Sequence, residues 1–195
     1  LEEKVKTFEN IISSLKDKSE EFRLYEREEY EEERNIGEGP RSIVKIVHKK
    51  KQEKYVEKEL FLYDYQTMKQ FYEEYNIIIK YRHPCIIRIY GINYGDETHK
   101  PSIILSYEPK SLETSIKNDE LSEEDKNRIT VEIVLGMRYI HEHNIIHGRL
   151  KPNNILLNKN NHVRITDFGQ YKTTKQTISP IEGTDTLRFF ASELF

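Results

Sequence analysis

The chain has 195 residues, and its 31 Lys plus Arg against 34 Asp plus Glu give a formal net charge of −3. Mean hydropathy is −0.79, polar for a globular domain, yet 11% of the residues are aromatic, more than a disordered chain carries. The length suits one domain or two small ones, the charge balance argues against a protein built to bind nucleic acid, and no run of about 18 apolar residues is present to cross a membrane.

A single cysteine, Cys85, excludes an internal disulfide framework and a multi-cysteine zinc site. It fits a reducing compartment, so a cytoplasmic location is expected. The chain begins at Leu1 without a signal-peptide pattern, and a fragment of a longer protein is expected.

Residues 1–28 place Leu1, Val5, Phe8, Ile12, Leu15 and Phe22 at heptad-like spacing. A helix is expected there, either packed on the next domain or self-associating as a coiled coil. From Tyr30 the pattern changes. Residues 30–36 lead into Gly37-Glu38-Gly39-Pro40, and strands are expected at 43–47 and 54–60 around a charged turn carrying Lys49, Lys50 and Lys51. A helix over about 67–82 and short strands near 86–94 and 102–106 follow.

The second half is more helical. Ser122 with Asp125 three residues on resembles a capping box, and Ile129, Ile133, Met137 and Ile140 hold one helical face. Residues 155–157 and 163–165 flank Asn158 to Asn161 as a short hairpin.

Four features bear on chemistry. Gly37-x-Gly39 is either an ordinary turn or a loop whose backbone approaches phosphates. Lys58 sits on a predicted strand, Asn154 precedes one, and Asp167-Phe168-Gly169 follows one, as a metal-holding carboxylate would. Each alone reads as structural; their order and spacing together do not.

That ordered set resembles the eukaryotic protein kinase family from about Tyr30 to Phe195. Gly37-x-Gly39-x-x-Ser42-x-Val44 resembles the glycine-rich loop, and Tyr55-Val56-Glu57-Lys58 the lysine strand. Glu74, nine residues before His83-Pro84, matches the helix glutamate, and Leu105-Ser106-Tyr107-Glu108 the hinge. His147 to Asn154 resembles the catalytic loop, while Asp167-Phe168-Gly169 and Ala191-Ser192-Glu193 resemble the ends of the activation segment. The resemblance implies an α+β, bilobal fold: a β-rich N-lobe over about 30–105 and a mainly helical, incomplete C-lobe over about 109–195. ATP would bind between them, with Val44, Val56 and Leu156 around the adenine and Leu105 and Tyr107 at the hinge. Lys58, held by Glu74, would reach phosphates, and Asn154 and Asp167 would hold Mg2+. Ile78, Ile89, His147 and Phe168 occupy the family's stacking positions.

The departures from the family pattern matter more. Arg149 stands where the family has the catalytic aspartate that accepts the substrate hydroxyl proton. A guanidinium stays protonated and offers no acceptor, so it is no base. Arg149 would then either bind the γ-phosphate or pair with an acidic neighbour. Pro40 lacks an N–H at the loop tip, Ser42 replaces the third glycine, Val56 replaces a small alanine, and Gly148 replaces the loop arginine.

Three readings follow: a pseudokinase that binds ATP and Mg2+ weakly and acts through conformation or a protein partner; an active serine/threonine kinase, for which Lys151 is the typical loop residue; and a nucleotide-independent scaffold acting through helix 1–28. Nucleic-acid and membrane partners are not expected. His141-x-His143-x-x-x-His147 reads as a helix end and loop rather than a metal site. Cys85 reads as a small core residue. Tyr171, Thr173, Thr174, Thr177, Ser179, Thr184 and Thr186 are candidate phosphorylation sites. An incomplete C-lobe is expected to expose an apolar face and to be poorly stable alone.

Overall fold

A computed structural model of the chain describes residues 29–39, 42–49, 53–61, 79, 81–93, 100–168 and 172–173. The expected helix 1–28, most of helix 67–82 with Glu74 and Ile78, Pro40, the lysines 50 and 51, Gly169, and the activation segment apart from residues 172–173 lie outside the described residues. The chain divides into two compact units, Leu1–Lys69 with Ile89–Tyr107, and Gln70–Arg88 with Glu108–Phe195.

The first unit is a five-stranded antiparallel sheet. Its strands are β1 (Tyr30–Glu38), β2 (Ser42–Lys49), β3 (Glu53–Leu60), β4 (Ile89–Asn93) and β5 (Ser102–Ser106), in the order β1-β2-β3-β5-β4. The expected strands at 43–47, 54–60 and 102–106 all form. The strand expected over 86–94 is shorter and starts at Ile89; Ile86 belongs to the second unit and bridges Ile165 within it.

Residues directly opposite across antiparallel strands share a face. Val44, Lys58 and Ile103 therefore form one row, and Ile46, Val56 and Leu105 the next row of that same face. The other face carries the core of Tyr30, Val47 and Ile104, with Tyr55 packed against it. Tyr55 meets Tyr30 and Tyr90 edge to face at centroid distances of 5.7 and 5.0 Å. Glu57 is buried on that face and accepts a 2.8 Å bond from the Ser102 hydroxyl, which lowers the cost of burying a carboxylate there.

β1 reads poorly as a strand because it is rich in glutamate. It forms by pairing those charges with cations from β2 and β3. Lys45 reaches Glu32 at 3.1 Å, Lys54 reaches Glu33 at 3.0 Å, His48 also contacts Glu33, and Lys49 reaches Glu29 at 2.5 Å. Such exposed pairs fix register more than they stabilise.

The second unit holds β6 (Lys110–Ser111), α1 (Leu112–Lys117), α2 (Glu123–Glu142), β7 (Ile145–Ile146), a 3-10 turn at Pro152–Asn154, β8 (Ile155–Leu157), β9 (Val163–Ile165) and β10 (Lys172–Thr173). β6, β8 and β9 form one small sheet, and β7 pairs with β10. The β8–β9 hairpin is the one the sequence predicts. α1 is too short to show as periodicity; it forms where the Ser111 hydroxyl accepts from Thr114 N–H.

α2 starts as expected at Ser122, whose hydroxyl oxygen accepts from Asp125 N–H at 3.1 Å, while the hydroxyl proton goes to the Asp125 carboxylate at 3.1 Å. Glu123, Glu124 and Asp125 place negative charge on the first turn, where the helix dipole favours it. Asn144 just beyond the helix adopts φ 59, a left-handed turn that ends it. Ile129, Gly136 and Ile140 are buried on one face; Val131, Val134 and Leu135 lie exposed elsewhere on the helix. No helix among the described residues is long and apolar enough to cross a membrane.

Gly136 lets α2 approach the segment before β4 closely. A Cβ there would sit 2.7 Å from Ile165 Cδ1 and 3.1 Å from Cys85 Cβ. Cys85 is accordingly buried against a helix, the small core residue the sequence suggests. Two opposite effects follow for Gly136→Ala: about 1 kcal/mol of gained helix propensity against a tight Cβ. Gly136→Val gains less propensity and adds more bulk, so it is expected to cost about 1–3 kcal/mol. Denaturant unfolding of the two variants beside the native chain checks this ordering.

Candidate functional site

In the first unit, the strand register gathers most of the residues picked out as nucleotide contacts. Gly37 on β1 lies opposite Val44, Val44 opposite Lys58, and Val56 opposite both Ile46 and Leu105. Val44, Val56, Lys58 and Leu105 thus share one face of the sheet. Val56 and Leu105 are nearly buried, at 9% and 8% exposure, whereas Val44 and Lys58 are half-buried. Gly39 N–H donates to the Ser42 carbonyl at 2.9 Å and closes the loop between β1 and β2. Tyr107 follows β5, and its ring lies 5.8 Å from the Lys54 ammonium. Glu74 lies outside the described residues.

The second unit brings Arg149, Asn154 and Asp167 together around one buried imidazole. His147 is 1% exposed. Arg149 N–H donates to its Nδ1 at 3.2 Å, so the ring proton sits on Nε2, which donates to the Thr166 carbonyl at 3.0 Å. His147 thereby ties the loop at 149 to the end of β9. Its other face packs on Phe168, with centroids 4.7 Å apart. Burial pushes the imidazole down to about 4, although the Thr166 carbonyl pulls the other way.

Two backbone turns aim the side chains. Gly148 has φ 72, a conformation open to glycine at little cost, and Asp167 has φ 65, which aspartate tolerates better than most residues. Lys151 begins the 3-10 turn, and its carbonyl accepts from Asn154 N–H at 2.9 Å. Leu156 lies on β8 opposite Arg164 and Ser111.

The charges meet at Asp167. Arg149 Nη1 lies 3.3 Å from Asp167 Oδ1 and 3.2 Å from Oδ2. Asn154 Nδ2 donates to the Arg149 carbonyl at 2.8 Å and to Asp167 Oδ2 at 3.3 Å. Of the two fates the sequence allows Arg149, pairing with an acidic neighbour is the one formed, and the neighbour is the carboxylate expected to hold Mg2+. Asp167 and Asn154 are the hard-oxygen residue types that Mg2+ takes. As arranged, however, both Asp167 oxygens face N–H donors and Asn154 presents its amide nitrogen. The cluster in this form does not fit a metal ion, since ion and guanidinium would compete for the same lone pairs.

The sequence allowed Arg149 an acidic partner without naming Asp167, and it gave neither the tautomer of His147 nor the left-handed turn at Gly148. His141 and His143 fall at the end of α2 as expected, and no cluster of three or more His, Cys, Asp or Glu able to hold a metal forms among the described residues.

The buried neutral imidazole makes stability depend on pH. Its folded value lies below the unfolded one, so the unfolded chain binds more protons as pH falls from about 6.5. Between pH 6.5 and 5 this is expected to remove about 2 kcal/mol. His147→Gln, which can still donate to the Thr166 carbonyl, should flatten the dependence in that window. Thermal melts of both proteins across it provide the check.

Residues 30–195 match the family described as "Protein kinase domain". The chain is 34% identical over 115 residues to a probable serine/threonine-protein kinase MRK1 homolog of Encephalitozoon cuniculi, covering 57% of this chain and 36% of that protein. It is 33% identical over 112 residues to the MAP kinase kinase MKK1/SSP32 of Saccharomyces cerevisiae, covering 54% and 22%. It is 28% identical over 161 residues to the CBL-interacting serine/threonine-protein kinase 8 of Arabidopsis thaliana, covering 80% and 36%. The chain therefore spans 36% or less of the length of these relatives. The matched region takes in the antiparallel sheet with Lys58 and the loop cluster of His147, Arg149, Asn154 and Asp167, and the chain belongs to the protein kinase family.

Proposed function

We propose that this domain is a pseudokinase: it binds ATP, transfers phosphate poorly or not at all, and acts by conformation or by engaging a protein partner. The observation that carries this reading is Arg149. It stands at the position of the family's proton acceptor, and its guanidinium is turned onto Asp167. General-base assistance is typically worth about 10²–10⁴ in rate, or roughly 3–5 kcal/mol of barrier. A permanently protonated group supplies none of it.

Nucleotide binding is supported by what is retained. Lys58, Val44, Val56 and Leu105 share a sheet face, as a purine and phosphate site requires of them. Protein kinase domains use ATP and Mg2+ in general, with catalysis arising mainly from positioning and charge neutralisation.

Arg149→Asp should raise peptide phosphorylation by about tenfold or more over the native chain. Native phosphorylation at ordinary kinase rates, abolished by Lys58→Ala, would favour the active serine/threonine reading instead. ATP at ten times its Kd should stabilise the domain by about 1.4 kcal/mol. A melt unmoved by saturating nucleotide would leave the scaffold reading.

A further inference from the structure

We infer that Arg149 takes the place of the metal: its guanidinium, held by Asp167, is a built-in cation that makes ATP binding by this domain independent of divalent ions. This deepens the pseudokinase reading and rests on its claim that ATP binds.

The argument starts from how firmly Arg149 is placed. Its N–H is spent on His147, its carbonyl accepts from Asn154, and its Nη1 spans both Asp167 oxygens. The next residue back is a glycine in a left-handed turn, and the carboxylate it meets is aimed by a second such turn. Loop geometry therefore fixes the backbone of residue 149, and Asp167 holds its guanidinium.

Placement and charge then select the ligand chemistry. A metal between a carboxylate and phosphates takes a lone pair from each and supplies positive charge between them. Here the Asp167 oxygens already receive N–H groups, and a dication brought to them would face a guanidinium at contact distance. A guanidinium has five N–H donors in a planar fork. The Asp167 contacts use Nη1 alone, and among the described residues Nε and Nη2 bond to nothing else. The side chain is 33% exposed, so an anion can approach it. Bidentate recognition of phosphate oxygens is what such a fork does well. Carboxylate, guanidinium and phosphate can then line up as carboxylate, metal and phosphate would.

The test is ATP binding to the full chain, by calorimetry and by melting shift, in EDTA and in excess Mg2+. The expected result is the same affinity in both media within about threefold. Arg149→Gln should lose about tenfold in EDTA, one charge-assisted hydrogen-bond pair, and regain part of it with Mg2+. Native affinity that falls more than about threefold in EDTA overturns the inference while leaving ATP binding intact. An Arg149→Gln chain that binds as well as the native one in EDTA also overturns it. Absence of ATP binding in both media refutes the nucleotide reading itself, and this inference with it. The native comparison needs no variant, so if Arg149→Gln folds poorly the native affinities in the two media decide the matter alone.

Discussion

The second unit is organised around a single neutral imidazole. His147 accepts from the Arg149 backbone and donates to the Thr166 carbonyl, so one side chain sets the spacing between the loop that carries Arg149 and Asn154 and the strand end that carries Asp167. A protonated ring has no acceptor at Nδ1 and would have to release the loop. Burial is what keeps it neutral. The ion pair of Arg149 and Asp167 depends on that frame, because a surface pair without it would be worth little.

Within that frame the chemistry of one position decides the character of the site. An aspartate at 149 would stand beside Asp167 as a second anion and would need a cation from outside. Arginine supplies the cation from within, so a local charge imbalance is replaced by a local charge match. Unlike an aspartate carboxylate, a protonated guanidinium at that position has no lone pair with which to take a proton.

Much of this was legible in the sequence because it depends on local pattern. Apolar runs at 43–47 and 102–106 gave their strands, Ser122 gave the start of α2, and Val163 to Ile165 gave half of a hairpin. The ordered motifs identified the family, while the shared face of Val44, Val56 and Lys58 comes from the strand register. The rest depends on contacts between distant residues. Arg149 and Asp167 are 18 positions apart, and nothing in composition or periodicity says which way a guanidinium turns. Ile86 reads as part of a continuous strand, yet its bridge is to Ile165. Gly148 reads as a lost arginine, whereas the structure gives it φ 72, a left-handed turn that glycine takes at little cost. β1 looks like a solvated charged run because its partners lie on neighbouring strands.

That charged strand has a consequence for how the protein behaves in company. β1 ends the sheet order, so among the described residues no further strand of that sheet lies on its outer side. A long, flat, greasy border of this kind invites a second molecule to add itself. Here two bulges, between Glu32 and Arg34 and between Asn35 and Gly37, break the flatness, and successive glutamates line the strand with like charge. A second molecule docking along it would bring glutamates against glutamates, so the same residues that secure β1 to its sheet also discourage strand-by-strand clumping.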